Sequence, residues 1–336
     1  SFRTDTKGNA VYIVDLQTGE LLWSAGSTQT ARSNHDLSLA RMRFSIPAGL
    51  RVLDRNVDGL ADRMYVGDMG GQIWRFDIVN GNNAAGLVEG GVLASLGAAD
   101  SASAPAADTR RFYNTPDIVN VIKGENVFTA INIGSGYRAH PLDTLIDDEF
   151  YSVRDFNPAR AIATNEYDSP ALPLITREDL VDITTDTTPS LEPGDAGWRL
   201  GMVQDPGEKV LGESLTLDNV LFFNSFAPTS TVQSCLPGAG INRNYRISII
   251  DGSPLTNLDR SVDPDNLTPT DRFIEGQLGA PVSDPGFGPD DKVCSGLDCF
   301  DGDDEFETDD ASDGPDDGPN AGPIVRKTYW YPVETP

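Results

Sequence analysis

Apolar and polar positions alternate in short runs along this chain, and tight turns separate the runs. Residues 8–26 place apolar Val11, Ile13 and Leu22 around the turn sequence QTGE, which is the pattern of a strand hairpin. The strand or hairpin pattern recurs, in full or weaker form, in three further stretches: 63–81, 219–228 and 244–254. One such hairpin cannot bury its own faces, so several must pack together.

Hairpins that recur with an aromatic residue nearby indicate the blades of a β-propeller. A β-sandwich remains the structural alternative, because the spacing of short strands does not separate the two folds. The 33 glycines and 23 prolines favour turns, and no capped amphipathic stretch is long enough for a major helix. We therefore predict an all-β chain, with one short helix at 177–182.

Three stretches depart from the hairpin pattern. Residues 82–111 are rich in small side chains and predict a long excursion between strands. Residues 284–317 are acidic and rich in glycine and proline, and they predict an exposed insertion. Strand character returns at 324–332, which we expect to close the final blade.

The acidic charge limits the classes of partner. The chain carries 52 acidic and 25 basic residues, a formal charge of −27, which argues against nucleic acid and anionic membranes. No apolar run is long enough to span a membrane. The start, SFRTDTKGNAVYIVD, lacks an initiator Met and a signal sequence, so we expect a processed chain or a fragment.

Cysteine is sparse, at Cys235, Cys294 and Cys299. The sequence CSGLDC brings the last two close enough to close a small loop, and the composition suits an exported protein in which a disulfide survives. Three unpaired thiols are the alternative. The single sequence does not decide which cysteines pair.

The stretch DRNVDGLAD, at 54–62, has the spacing of a calcium-binding loop. Oxygen donors occupy alternate positions: Asp54, Asn56, Asp58, the main-chain carbonyl of Leu60, and Asp62. Gly59 permits the sharp turn, and the loop is shorter than an EF-hand loop because it closes with Asp62. Calcium is favoured over magnesium, which demands a near-ideal octahedron. The alternative is an acidic turn whose side chains accept hydrogen bonds from their own backbone amides.

Several motifs resemble the PilC/PilY family of type IV pilus tip-associated proteins. The calcium loop with the following hairpin is similar to that family, and so are INIGSGYRAHPLDTLIDDEFYSVRD at 131–155 and GWRLGMVQDPGEKVLGESLTLDNVLFFNSFAP at 197–228. The C-terminal RKTYWYP also matches in kind. These blocks follow family order from about residue 8 to the C-terminus.

The resemblance implies that residues 1–336 form the C-terminal region of a larger secreted protein whose N-terminal region is absent here. Its fold would be a modified β-propeller, complete or incomplete in blade number, with the shape of quinoprotein dehydrogenases. The family's calcium loop, at the five positions above, is linked to pilus extension when occupied and retraction when empty. The implied location is the pilus tip or outer cell surface.

The implied partners are minor pilins and a host or abiotic surface, with twitching motility and adhesion as the associated processes. The integrin-type Arg-Gly-Asp of some members does not occur in this sequence, so a role in pilus assembly is favoured over host adhesion. We expect no enzymatic activity and no cofactor other than Ca²⁺.

Two other classes of function remain as alternatives. A quinone-dependent dehydrogenase uses the same fold, but its vicinal Cys-Cys pair does not occur here. Ser135, Arg138 and His140 lie close in sequence without a nucleophile-elbow motif. A carbohydrate-binding propeller would expose its tryptophans together, whereas we interpret them as packing residues: Trp23, Trp74, Trp198 and Trp330.

Overall fold

The structure is a computed structural model. It describes these residues: 5–27, 34–98, 104–123, 126–229, 240–259, 266–276, 284–287, 293–295, 298–300 and 324–327. For 123, 126, 295, 298–300 and 324–327 the backbone alone is described.

Short strands make up most of the ordered secondary structure. The strands of the first part of the chain are β1 (Ala10–Val14), β2 (Leu21–Gly26), β3 (Leu37–Ser38), β4 (Arg51–Leu53), β5 (Arg63–Gly67), β6 (Gln72–Ile78), β7 (Val88–Ser95), β8 (Asp117–Lys123), β9 (Asn126–Gly134) and β10 (Glu149–Asp155). Those that follow are β11 (Ile175–Thr176), β12 (Val181–Asp182), β13 (Gly197–Gly201), β14 (Lys209–Val210), β15 (Leu215–Leu217), β16 (Val220–Pro228), β17 (Gly240–Ser248), β18 (Phe273–Glu275), β19 (Gly286–Phe287), β20 (Val293–Ser295), β21 (Asp298–Phe300) and β22 (Ile324–Lys327).

Helices are few and short in the described part of the chain. They are the α-helix α1 (Ala84–Leu87) and the 3-10 helices Ala106–Asp108, Thr164–Glu166, Arg177–Asp179 and Pro269–Arg272. The prediction that no major helix forms is confirmed for these residues. None of these helices is long and apolar enough to cross a membrane.

The strands form sheets that follow one another along the chain. The first sheet has the order β1-β2-β3, and the second has the order β11-β7-β6-β5-β4. The third has the order β12-β13-β10-β9-β8-β22, and the fourth has the order β14-β16-β17-β18, with β15 also paired to β16. A small fifth sheet has the order β19-β20-β21.

Consecutive sheets stack face to face, and the two-residue period of each strand divides its side chains between two cores. On β5, Val66 faces a core shared with the first sheet, whereas Tyr65 faces a core shared with the third. On β10, Tyr151 belongs to that same core and Phe150 to the core shared with the fourth sheet. Because inner sheets bury both faces, this is the packing of propeller blades and not of a two-sheet sandwich.

The main hairpin predictions are confirmed. Residues 8–26 form β1 and β2, and residues 63–81 form β5 and β6 around the Gly70-Gly71 turn. The strand at 219–228 is β16. The stretch 244–254 contains the end of β17 and the turn after it.

The predicted excursion at 82–111 is wrong for its middle part, because β7 runs through it. The glycines that suggested a loop are needed for packing: a side chain at Gly90 would meet the Phe76 ring at 2.4 Å, and one at Gly91 would meet the Tyr167 ring at 2.5 Å. The predicted helix at 177–182 is also wrong in part. It is a 3-10 turn at Arg177–Asp179 followed by β12, which pairs in parallel with β13.

Two predictions for the C-terminal part need correction. The insertion at 284–317 is not all loop, since β19, β20 and β21 lie in it and Val293 packs in a core with Phe222. Its remainder from 301 lies outside the described residues. Of the strand expected at 324–332, residues 324–327 form β22, which pairs with β8 of the third sheet instead of completing the last one. Residues 328–332 lie outside the described residues.

Candidate metal centre

The predicted calcium loop connects β4 to β5 at the edge of the second sheet. Its closing residue is anchored on both sides: the backbone N–H of Asp62 donates to the Leu53 carbonyl at 2.8 Å, and the Asp62 carbonyl accepts from the Ile78 N–H at 2.7 Å. Asp62 is buried, whereas Asn56 and Asp58 are exposed. The loop therefore projects from a fixed base.

Asp54 organises the first half of the loop. Its Oδ1 accepts from the backbone N–H of Val57 at 2.8 Å, and its Oδ2 accepts from that of Gly59 at 2.8 Å. Val57 and Gly59 both have positive φ, 60° and 87°, so the chain winds tightly here. A side chain at Gly59 would meet nothing within 4 Å, so backbone conformation, and not space, favours glycine.

The remaining side chains of the loop also bond to their own turn. Asn56 Oδ1 accepts from the Asp58 N–H at 3.1 Å, and Asp58 Oδ1 accepts from the Leu60 N–H at 2.8 Å. Asp62 Oδ2 accepts from the Arg55 N–H at 2.8 Å. These are hydrogen bonds that the alternative interpretation, an acidic turn satisfying its own amides, also predicts.

The donor set suits a hard cation in its chemistry. Every side chain at the predicted positions offers oxygen, and an oxygen that accepts one hydrogen bond keeps a second lone pair for a metal. Among the described residues, no group of three or more acidic, histidine or cysteine side chains is arranged as a metal site. Calcium binding here stays a prediction.

An arginine connects the loop to a neighbouring segment. Arg55, inside the loop, donates from Nη1 to the carbonyl of Pro158 at 3.0 Å. Arg63, at the start of β5, donates from Nη1 to the same carbonyl at 3.2 Å. Pro158 lies just after β10, so the calcium loop contacts the segment that leaves the third sheet.

Behind the loop lies a buried network of charges that joins the second and third sheets. Arg63 pairs with Asp77 at 2.6 Å, Arg75 pairs with Asp77 at 2.9 Å, and Arg75 pairs with Asp155 at 2.5 Å. Tyr65 donates its hydroxyl to Asp155 at 2.7 Å, and burial, followed by the Asp155 charge, raises the pKa of Tyr65 well above its ordinary value. These partners are almost fully removed from water, so each charge depends on its neighbours.

Three comparisons bear on the family. No protein-family model matches the chain. Two curated relatives, each named type IV pilus biogenesis factor PilY1, come from Pseudomonas aeruginosa strains PAO1 and PAK and are 36% identical over 75 residues. The aligned stretch is 21% of this chain and only 5% of each relative.

The crystal structure of the P. aeruginosa PilY1 C-terminal domain superposes with a TM-score of 0.58 at 18% identity, and the match covers 88% of this chain and 67% of that one. The resemblance to the PilC/PilY family is confirmed. The fold is therefore all-β and PilY1-like, a modified β-propeller.

Within this PilY1-like fold the three described tryptophans pack between the sheets. Trp23, Trp74 and Trp198 are each 1% exposed, and the indole of Trp74 donates to Asp68 Oδ2 at 2.8 Å. These three cannot form an exposed sugar-binding platform, as predicted. Trp330 lies outside the described residues.

The remaining candidates have other surroundings. Ser135 is buried and donates to Asp148 Oδ1 at 2.7 Å, while the His140 ring is exposed and lies 4.6 Å from the Tyr137 ring. Arg138, the third candidate of that stretch, is also exposed. Cys294 is disulfide-bonded, and the β20–β21 register places Cys299 opposite it. Cys235 lies outside the described residues.

Proposed function

We propose that this chain is the C-terminal part of a type IV pilus biogenesis factor that acts outside the cell, at the pilus tip or on the outer surface. The observation that carries the proposal is the agreement between two independent likenesses. A stretch of sequence is related to the PilY1 biogenesis factor, and the fold matches the PilY1 C-terminal domain over most of this chain.

The proposal includes one Ca²⁺ held by the side chains of Asp54, Asn56, Asp58 and Asp62 and the carbonyl of Leu60. The ion would neutralise three carboxylates that repel one another and would make the connection between β4 and β5 rigid. Arg55 supports a wider effect, because it bonds to the Pro158 carbonyl from within the loop. Calcium occupancy would then favour extended pili, and its loss would favour retraction.

The role proposed is one of contact and not of catalysis. Its partners are minor pilins at the end of the fibre, with binding to a host or abiotic surface as a second role. The charge of −27 supports partners that present basic or neutral surfaces, and not nucleic acid.

The direct test is to delete the coding region for this chain in the bacterium that carries it and to count surface pili by electron microscopy. We expect the wild-type chain to restore piliation. An Asp58→Asn variant should restore it only in part, because the substitution removes one of the charges that would bind calcium. The loop itself should still fold, since asparagine keeps the oxygen that accepts from the Leu60 N–H.

Asp218→Asn is the matched control, since Asp218 is exposed in the turn between β15 and β16, where asparagine tolerates its φ of 46°. It removes the same charge far from the loop in sequence and should restore piliation fully. Normal piliation in the deletion strain would refute the pilus role. Equal piliation with Asp58→Asn and Asp218→Asn would refute the role of the calcium loop but not the role of the chain in pili.

A further inference from the structure

A cavity of about 370 Å³ opens beside the end of β7, where the short strand β11 pairs with it in parallel. Two arginines, Arg110 and Arg177, line it together with apolar Leu96, Ala98 and Leu174. The carboxylates of Asp108 and Glu178 also line it. Its volume is that of a small-ligand pocket.

Arg110 is the unusual residue of this cavity. Its side chain is 3% exposed, and its Nε donates to the Asp147 carbonyl at 2.7 Å. Among the described residues, neither terminal nitrogen has a hydrogen-bond partner, and Nη1 has only an ion pair with Asp108 at 3.6 Å. A buried guanidinium with two unused donor groups at a cavity wall can donate hydrogen bonds to acceptor atoms of a ligand.

The buried carboxylate of Glu149, next to the cavity, contacts several arginines. Arg177 donates to both of its oxygens, at 2.8 and 2.6 Å, and Arg199 donates to Oε1 at 2.8 Å. Arg110 lies 3.4 Å away, so three guanidinium groups surround one buried carboxylate. Arg110 also pairs with Asp108, and Arg199 also pairs with Asp182. These two carboxylates are 48% and 47% exposed, so water screens their charges.

We propose that this cavity binds the carboxylate of a peptide-like ligand with a short apolar body, either a terminal carboxylate or a side-chain carboxylate. The planar carboxylate matches the free edge of Arg110 and the Nη1 of Arg177, which makes no hydrogen bond within the described residues. The apolar body lies against Leu96, Ala98 and Leu174. A phosphate dianion fits less well, because Glu149, Asp108 and Glu178 repel its second charge.

The test measures the binding of small probe molecules to the full chain by saturation-transfer NMR. N-acetylleucine carries a terminal carboxylate, and the α-amide of N-acetylaspartate carries a side-chain carboxylate. N-acetylleucinamide is the uncharged control, and inorganic phosphate tests the other anion class. We expect saturable binding of at least one carboxylate probe, weaker binding of phosphate and none of the amide. The stronger carboxylate probe identifies the source of the group.

Variants make the site specific. Arg177→Gln should weaken the carboxylate probe about 10-fold, and Glu178→Gln, at an exposed position, should strengthen it about 2-fold. Arg138→Gln removes the same charge as Arg177→Gln at an exposed position outside the cavity lining and should change nothing.

Because Arg177 bonds to buried Glu149, the melting temperature of Arg177→Gln must be measured. If Arg177→Gln unfolds, Glu178→Gln carries the test. Four results would overturn the proposal: no saturable binding of either carboxylate, equal binding of N-acetylleucinamide, tighter binding of phosphate, or affinity unchanged by Glu178→Gln. None of these outcomes depends on the role in pili.

Discussion

Arg75 on β6 and Asp155 at the end of β10 form a buried ion pair between the second and third sheets, with 2.5 Å between Nη1 and Oδ2. The same guanidinium pairs with Asp77 and donates to the Arg160 carbonyl at 2.6 Å. Each member is satisfied by several partners, as buried charges require. The network ties two sheets together directly behind the candidate calcium loop.

Removing Arg75 should therefore be costly. We expect Arg75→Met to lower the free energy of unfolding by about 3–5 kcal/mol, because buried Asp155 and Asp77 lose a compensating charge. Urea denaturation measures the change. Arg160→Met is the control, since Arg160 pairs with Glu166 in water, and its effect should be much smaller. Equal effects of the two substitutions would contradict the structural role of the network.

Calcium affinity should depend on charge in the loop. Isothermal titration of the wild-type chain should give a dissociation constant on the order of 10⁻⁵ to 10⁻³ M, since the site has three carboxylates and one amide. Asp58→Asn should weaken binding about 10-fold or more, while Asp218→Asn should leave it unchanged. Unchanged affinity in Asp58→Asn would remove this residue from the site.

The contribution of Asp148 to the stability of the chain should fall between about pH 4 and pH 6. Burial raises the pKa of Asp148 from 3.8 to about 6, and its Oδ2 is buried without a hydrogen-bond partner among the described residues. The folded state then holds a proton that the unfolded state releases in this window, so stability is greatest below it and decreases as pH rises. The loss from this group is about 3 kcal/mol.

Asp148→Asn should remove this part of the pH dependence. Burial also raises the pKa of Asp68 to about 6, so the variant should keep a slope from Asp68 and lose only part of the total. Urea denaturation at pH 4 and pH 7 measures both. A wild-type chain and an Asp148→Asn variant with the same difference between the two pH values would show that Asp148 titrates normally.

Tryptophan fluorescence should be poorly quenched by acrylamide. A Trp330→Phe variant reports on Trp23, Trp74 and Trp198, which are buried between sheets, so its quenching constant should be close to that of a fully folded core. The same variant in denaturant supplies the exposed reference. Strong quenching in the native state would restore the carbohydrate-binding alternative.

The regular blades could be predicted from the sequence because their cores follow a period of two. Val11 and Ile13 on β1, and Trp74 and Phe76 on β6, lie two residues apart and face the same core. The tight turns between these strands, at QTGE and Gly70-Gly71, carry residues with the required backbone freedom. Local pattern and final packing agree there.

Other strands depend on contacts far away in the sequence. β11 and β12 have two residues each and exist only through parallel pairing with β7 and β13. β22 pairs with β8, about 200 residues earlier, which no local pattern indicates. β7 was not predicted because adjacent glycines such as Gly90 and Gly91 are typical of a loop. In the structure they leave room for the rings of Phe76 and Tyr167, which are distant in sequence.

The candidate site shows the same division. The spacing of Asp54, Asn56, Asp58 and Asp62 is visible in the sequence, and it predicts both a calcium loop and bonds to the loop's own amides. The sequence does not decide between the two, and the structure shows the bonds. The buried ion network was missed, although arginine and aspartate at inward strand positions in RMYVG and QIWRFDI were a signal for it. The arginines of the cavity come from separate elements and meet only in the fold.

The most direct measurement of the central claim is the position of this chain on the bacterial surface. Gold-labelled antibody against the chain, imaged by electron microscopy on piliated cells, should mark the ends of pilus filaments or the surface sites where they emerge. A strain lacking the coding region is the control for the antibody. Label that is absent from pili and their bases, in cells that make both pili and the chain, would contradict the proposed role.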